Sequence, residues 1–318
     1  MHYSSCHHAC HHVLWAVAMM TSGDRRYKGQ YLHPPFPSES LPQTYSSIMP
    51  NISDSKCVLV IGSTSGIGRA LALAILDLPS KPTVIVCGRR KERLDELVAS
   101  HNATGRLKSV TLDVLSERNA LKSSIEDIVN TYPDLDAVLF SSGIQRGFDF
   151  TRPETIDLDS LESELATNYT SIVRMITFFL PHLIKLGEQG RPTFLYPVSS
   201  GLSIVPAAGI ADYCATKAAL HSLSISLAVQ LKEKNVHVVE IIPPLVESEL
   251  HDFEGTTQRL SNFWLSLEDY TKETMEGLVR GDPYVPAGMV VEQHKKFEQG
   301  KLEAATKMYG QFKAMTQT

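Results

Sequence analysis

Tyr213 and Lys217 are four residues apart, and Ser200 lies thirteen residues before the tyrosine. Residues at this spacing share one face of an α-helix, so the phenol and the ammonium are expected side by side. A free phenol has a pKa of about 10, and a nearby positive charge is expected to lower it. Ser200 could donate a hydrogen bond to a substrate oxygen as charge develops on it. The three residues predict a site that transfers protons.

A second Tyr-x-x-x-Lys pair, Tyr309 and Lys313, lies near the C-terminus, but Lys296 rather than a serine precedes it by thirteen residues. An isolated pair of this kind is typically a surface tyrosine beside a solvated lysine. The pair at Tyr213 is distinguished by the elements that precede it along the chain.

A glycine-rich turn follows the first apolar run of the chain. It consists of Gly62, Ser63, Thr64, Ser65, Gly66, Ile67 and Gly68. Glycines let the backbone approach a pyrophosphate closely, and the N-terminus of the next helix offers free N–H groups and a positive dipole end. The alternative is a tight turn without a ligand. Its place between a predicted strand and a predicted helix favours a dinucleotide site.

The end of the second predicted strand indicates which dinucleotide binds. An NAD site typically has an acid there for the ribose 2′-OH, whereas this chain has Arg89 and Arg90. Guanidinium groups match a phosphate and predict the 2′-phosphate of NADP(H). Alternatively, the two arginines only begin a helix, where positive charge meets the unfavourable dipole end.

Apolar runs alternate with amphipathic stretches from Cys57 onward. The predicted strands are Cys57–Ile61, Thr83–Cys87, Leu107–Leu112, Asp136–Phe140, Thr193–Val198 and Val236–Ile242. The predicted helices are Gly66–Leu78, Lys91–Ser100, Ser116–Thr131, Asp157–Lys185 and Ala211–Lys234. This alternation predicts an α/β fold with a doubly wound, Rossmann-type parallel sheet in a single domain over residues 52–318. Pro283 and Pro286 leave a last strand uncertain.

The first 51 residues are expected to be a disordered extension, with Met49 as an alternative start. Prolines and serines dominate residues 33–50. The apolar run Val13–Met20 is short and no Lys or Arg precedes it, which argues against a signal peptide. Nothing in the sequence indicates a folded loop around the Cys and His residues between Cys6 and His12, so no metal site is predicted.

The bulk composition excludes several classes of protein. A net charge of −5 gives no reason to expect nucleic-acid binding. Five cysteines without a framework spacing favour a reducing compartment, and hence the cytoplasm. No apolar run approaches the ~18 residues that a membrane span needs.

With these motifs, the chain resembles the short-chain dehydrogenase/reductase family over residues 57–250. The resemblance implies catalytic roles for Asn168, Ser200, Tyr213 and Lys217, with Asn168 holding a water for proton relay. It also implies cofactor contacts by Asp113, Val114, Ser142, Gly143, Pro243, Val246 and Ser248, besides Tyr213 and Lys217. Two motifs depart from the family: Phe140-Ser-Ser-Gly143 replaces Asn-Asn-Ala-Gly, and Pro243-Pro244 replaces Pro-Gly.

The expected activity is hydride transfer between NADP(H) and a carbonyl or secondary alcohol of a mid-sized, largely apolar substrate. The segment after Pro244 should close the substrate pocket with aromatic side chains, although core packing explains them equally well. These are Phe253, Phe263, Trp264 and Tyr270. The alternatives are a catalytically silent protein that senses the NADP redox state, and an epimerase or dehydratase.

The apolar stretches Ile172–Leu183 and Ala218–Leu231 resemble surfaces through which this family forms homodimers or homotetramers. Burial within one subunit could account for much of the same pattern.

Overall fold

Six apolar runs form a parallel sheet. The computed structural model describes residues 49–101, 103–251, 260 and 263–316. The strands are β1 (Cys57–Ile61), β2 (Thr83–Gly88), β3 (Leu107–Thr111), β4 (Leu135–Phe140), β5 (Thr193–Pro197) and β6 (Val236–Val238), in the order β3-β2-β1-β4-β5-β6. Every residue of β1, β4 and β5 is buried, as expected for strands covered on both faces.

Helices cover both faces of this sheet. They are α1 (Gly66–Leu76), α2 (Lys91–His101), α3 (Arg118–Thr131), α4 (Leu158–Leu165), α5 (Ser171–Glu188), α6 (Ala211–Leu231), α7 (Leu267–Arg280), α8 (Val290–Phe297) and α9 (Lys301–Thr316). Apolar residues of α1, α2 and α7 pack on one face, and those of α3, α5 and α6 pack on the other. The predicted doubly wound α/β fold is confirmed.

The strand order reverses at β1, which pairs with β2 on one side and with β4 on the other. The chain leaves these neighbouring strands in opposite directions, so a crevice opens beyond their carboxyl ends. The glycine-rich turn directly follows β1, and Ser141, Ser142 and Gly143 follow β4. The topology therefore places both segments at the same crevice.

The helix predicted over Asp157–Lys185 is in fact three pieces. A π-turn, Ala166–Thr170, separates α4 from α5. Apolar periodicity continues across the turn, so the sequence pattern does not reveal it. Single π-turns inside helices are frequent at functional sites, and Asn168 lies in this one.

The strand predicted over Val236–Ile242 is also divided, because Val239 interrupts it. Its second part, β7 (Glu240–Ile242), pairs with β8 (Tyr284–Pro286) in a separate parallel pair. The strand that the prolines made uncertain is therefore present. Pro283 precedes it and Pro286 ends it, so neither proline lies in the middle of a central strand.

The apolar stretches that suggested oligomer surfaces are partly buried within the subunit. Five residues of α5 are almost completely buried on its inner face: Ile172, Met175, Ile176, Phe179 and Leu183. Leu220 and Leu231 of α6 are buried as well. Packing in one subunit thus accounts for much of the pattern.

Residues 1–48, including the Cys and His cluster, the run Val13–Met20 and most of the predicted extension, lie outside the described residues. Asn51 caps a short 3-10 turn by accepting the Ser53 N–H. Within the described part of the chain, no helix is long and apolar enough to cross a membrane.

A buried polar cluster ties the C-terminal segment to α6. The Nδ1 atom of His221 lies 2.8 Å from a carboxyl oxygen of Glu240, and its Nε2 atom lies 2.9 Å from Glu298. Burial lowers the pKa of His221, but the hydrogen bonds and charges of both glutamates outweigh burial and raise it above the ordinary value of about 6.5. The imidazolium therefore links β7, α6 and the residue that follows α8.

Because the folded-state pKa of His221 is raised, the stability from this cluster is fully present below about pH 6.5 and is lost as the pH rises through the folded-state pKa. We expect Glu298→Gln to lower the pKa of His221, measured by histidine NMR. It should also cost about 1.5–3 kcal/mol of unfolding free energy at pH 6 and less at pH 9.

Glu292→Gln is the matched control, because Glu292 lies in α8 but pairs with Lys295 at the surface. Its cost should stay below about 1 kcal/mol at both pH values. A Glu298→Gln cost that does not fall with rising pH would contradict the assignment of charge to His221.

Candidate active site

The glycine-rich turn is held against the end of β2. The N–H groups of Gly62 and Ser63 donate to the Cys87 carbonyl at 2.9 and 3.0 Å. Gly62 has φ +86°, and a Cβ there would lie 2.5 Å from the Ser142 nitrogen. A Cβ at Gly68 would lie 2.4 Å from the Gly62 carbonyl oxygen. The backbone segments at this crevice are thus too close to accommodate side chains.

The three hydroxyls of the turn have different surroundings. The Ser63 hydroxyl is buried and bonds to Cys87 on both sides, donating to its carbonyl and accepting its N–H. Ser63 therefore stabilises the turn instead of offering its hydroxyl to a ligand. The Thr64 and Ser65 hydroxyls accept hydrogen bonds from Arg90 at 3.0 and 2.9 Å.

A cleft of about 420 Å³ joins this turn to the predicted proton-transfer residues. Its lining includes these predicted residues: Gly62, Thr64, Ser65, Gly66, Ile67, Gly68, Arg89, Arg90, Val114, Ser142, Gly143, Tyr213, Lys217, Pro243 and Ser248. Ser63, Asp113, Asn168, Ser200 and Val246 do not line it. Most of the predicted set is thus brought together along one groove.

The predicted residues that do not line the cleft have other contacts. Asp113 is exposed, and its carboxylate accepts the Leu115 N–H of its own turn. Val246 is buried in the core and bridges to Leu265. The Ser200 hydroxyl accepts the Leu202 N–H at 3.1 Å and is near enough to Tyr213 to act on the pKa of its phenol.

Tyr213 and Lys217 project from α6 at the inner end of the cleft, and both are buried. The Lys217 Nζ donates to the Val198 carbonyl at 2.9 Å and lies 5.7 Å from the centroid of the Tyr213 ring. The end of β5 thus fixes the lysine, and the lysine lies close to the phenol as the spacing predicted.

The expected lowering of the tyrosine pKa is not found. Burial raises the pKa of Tyr213, and the neighbouring Ser200 hydroxyl, which acts to lower it, offsets only part of the rise. Burial likewise lowers the pKa of Lys217 to about 8, although the charges of Glu164 and Glu240 oppose that change. Desolvation penalises the charged form of each group and is the largest cause of both pKa shifts. The raised pKa keeps the phenol protonated, which suits a proton donor.

Asn168 holds the segment after β4 in place. Its Oδ1 accepts the Ile144 N–H at 2.9 Å, and its Nδ2 donates to the Ile144 carbonyl at 2.8 Å and to Thr216 at 3.1 Å. A Cβ on Gly143 would lie 3.4 Å from Asn168 Oδ1 and 3.7 Å from Lys217 Nζ. The side chain thus joins this segment to α6 beside the lysine.

Glu164 is a residue of the site that the motifs did not single out. It is fully buried in α4, and its charge raises the pKa of both Tyr213 and Lys217. It lies four residues before Asn168, so their shared helical face was a signal in the sequence.

The aromatic residues after Pro244 differ in their burial, and none that the structure describes lines the cleft. Tyr270 is fully buried in the core beneath α1, so core packing explains it. Phe263 is 77% exposed, and neither it nor Trp264 lines the cleft. Phe253 lies outside the described residues.

The cleft fits a dinucleotide. The crowded glycines at positions 62 and 68 leave the backbone bare beside the N-terminus of α1, where a phosphate is favoured. The buried Ser142 hydroxyl has no hydrogen-bond partner among the described residues and lines the same cleft. The residues that would hold the nucleotide are thus those of the glycine turn, of the β2 end and of the segment after β4.

Comparison with known proteins identifies the family of the chain. The model of the short chain dehydrogenase family matches residues 56–259, and the chain belongs to that family. The uncharacterized oxidoreductase DltE of Bacillus subtilis (strain 168) is 35% identical over 225 residues, covering 70% of this chain and 84% of DltE.

Solved structures have the same fold. A short-chain dehydrogenase from Sphingobium yanoikuyae in complex with NADPH has a TM-score of 0.66 at 19% identity, covering 82% of this chain and 95% of its own. A 3-ketoacyl-(acyl-carrier-protein) reductase from Brucella melitensis complexed with NADH has a TM-score of 0.65 at 18% identity, covering 75% and 99%.

We expect Gly62→Ala to abolish dinucleotide binding and to destabilise the protein, because the new Cβ overlaps the Ser142 backbone. Gly105→Ala is the matched control: Gly105 has φ +71°, but a Cβ there meets no atom within 4 Å. The control should cost only the left-handed strain of about 1–2 kcal/mol and retain binding. Thermal melts and calorimetric titration measure both effects, and equal losses in the two variants would refute the close-approach role of Gly62.

Proposed function

We propose that the protein is an NADP(H)-dependent oxidoreductase that interconverts a carbonyl and a secondary alcohol. The observation that carries this proposal is that Tyr213 and Lys217 line the same cleft as the glycine-rich turn. A bound nicotinamide would supply or accept the hydride there.

The residues of the chain would handle the proton and the charge. Tyr213, kept protonated by burial, donates its proton to the carbonyl oxygen. Ser200, whose hydroxyl acts to lower the pKa of the neighbouring phenol, stabilises the same substrate oxygen. Lys217, fixed on the Val198 carbonyl, provides positive charge near the phenolate that forms. Asn168 holds the segment after β4 in place, and we propose that it also helps to resupply protons.

The preference for NADP(H) rests on residues at the end of β2. Arg89 and Arg90 line the cleft. The strand end Cys87–Gly88, which directly precedes them, contains no acidic residue. The solved relatives include complexes with both NADPH and NADH, so the two guanidinium groups carry this part of the proposal.

Catalysis is favoured over silent cofactor sensing because Ser200, Tyr213 and Lys217 are all present, with Ser200 near enough to act on the pKa of Tyr213 and Lys217 Nζ 5.7 Å from its ring. An epimerase or dehydratase would use the same residues without net consumption of cofactor. Oxidation of NADPH by a panel of mid-sized, apolar carbonyl compounds distinguishes the reductase from both alternatives, because only the reductase consumes cofactor in proportion to product.

We also propose a cytoplasmic homodimer or homotetramer, formed through the outer faces of α5 and α6. Residues such as Phe178 and Leu227 on these helices are only partly buried and could pack against a second copy. Light scattering tests the assembly, and a monomer at micromolar concentration would contradict it.

We expect Tyr213→Phe to lower kcat by about 10²- to 10⁴-fold, because the proton donor is lost. Cofactor affinity should change little, since the ring remains. Tyr309→Phe is the matched control: Lys313 Nζ lies 5.2 Å from the centroid of the Tyr309 ring, a similar geometry outside the cleft. The control should be fully active. Near-native turnover of Tyr213→Phe would refute the mechanism.

We expect Arg89→Ala and Arg90→Ala each to raise the KM for NADPH by about tenfold, because each removes hydrogen-bond donors to a charged group. The KM for NADH should change less than twofold. Steady-state kinetics with both cofactors measure the ratio. An equal rise in KM for NADPH and NADH would mean that the arginines do not bind the 2′-phosphate.

A further inference from the structure

Glu249 lies between the cofactor cleft and a smaller adjoining cavity of about 270 Å³, and it lines both. Its carboxylate accepts a hydrogen bond from Arg90 Nη1 at 2.9 Å and from Arg93 Nη1 at 2.7 Å. Burial acts to raise the pKa of Glu249, but the two arginines outweigh burial and lower it. The negative charge of Glu249 therefore lies against the guanidinium groups of Arg90 and Arg93, beside the glycine-rich turn.

Arg90 does not need Glu249 to be oriented. Its Nε and Nη2 atoms already donate to the hydroxyls of Thr64 and Ser65. Glu249 instead accepts a hydrogen bond from Nη1, the nitrogen of Arg90 that does not bond to the turn. Arg93, one helical turn further along α2, donates to both oxygens of the same carboxylate.

We propose that Glu249 is a specificity-determining residue that competes with the 2′-phosphate of NADP(H) for Arg90 and Arg93. This inference rests on the proposed cofactor. A phosphate monoester carries a charge of about −1.5 to −2 at pH 7 and accepts hydrogen bonds from the same donors. The carboxylate must leave or share these donors when the phosphate binds, and the two anions repel each other. A cofactor without the 2′-phosphate meets no such competition.

The competition sets the preference between the two cofactors. The arginines favour the phosphorylated cofactor, and Glu249 reduces that advantage. The protein is thus expected to discriminate between the two cofactors less strongly than its arginines would without Glu249.

The test is a calorimetric titration of wild-type protein and Glu249→Gln with adenosine 2′,5′-bisphosphate and with 5′-AMP. Glutamine keeps the size of the side chain and removes its charge. We expect the bisphosphate to bind about three- to tenfold more tightly to the variant, the range for loss of partly exposed ion pairs. The Kd of 5′-AMP should be unchanged.

Glu96→Gln is the matched control, because Glu96 lines the same small cavity but forms no ion pair with either arginine among the described residues. It should alter the Kd of the bisphosphate by less than twofold. Thermal melts confirm that the variants are folded.

Each other outcome has a separate meaning. Weaker bisphosphate binding by Glu249→Gln would overturn the inference and make Glu249 a support for Arg90. An equal gain in Glu96→Gln would overturn it as well, since general charge would then suffice. If neither wild-type protein nor Glu249→Gln bound the bisphosphate more tightly than 5′-AMP, the NADP(H) preference itself would fail, and the inference with it.

Discussion

The buried ammonium of Lys217 is the constraint on which the rest of the site depends. Burial of a charge is costly unless polar partners surround it, and Lys217 is only 4% exposed. The Val198 carbonyl at the end of β5 accepts its hydrogen bond, and the charges of Glu164 and Glu240 offset part of the cost of burial. The positions of α4, α6 and the strand ends are therefore linked to one charged group, which lies beside the phenol that it serves.

Much of the architecture could be predicted from the sequence because it depends on local patterns. Apolar runs predicted the central strands of the main sheet, since parallel strands buried on both faces are apolar throughout. The edge strand β3 was also predicted, although it contains the exposed residues Lys108 and Thr111. The spacing of Tyr213 and Lys217 predicted their proximity because a helix fixes it. The glycine turn was recognisable because the φ of Gly62 and the contact with Ser142 exclude other residues.

The features that were missed depend on tertiary packing. Periodicity continues through Asn168, so the π-turn left no pattern. Tyr270 was an aromatic residue near the expected pocket, but its position in the core depends on how α7 packs on α1. The direction of the Tyr213 pKa was wrong because sequence spacing gives the distance to a charge and not the degree of burial, which dominates here. Glu249 reaches Arg90 from a segment 159 residues away in the chain, a contact that no local motif predicts.

The most direct measurement is an NMR titration of ¹³C-labelled lysine side chains, with the Lys217 signal assigned from its loss in Lys217→Arg. If burial governs the site, Lys217 titrates with a midpoint at about pH 8. A midpoint at the ordinary lysine value of about 10.5 would show that the ammonium is solvated, and the account of a desolvated catalytic pair would be wrong.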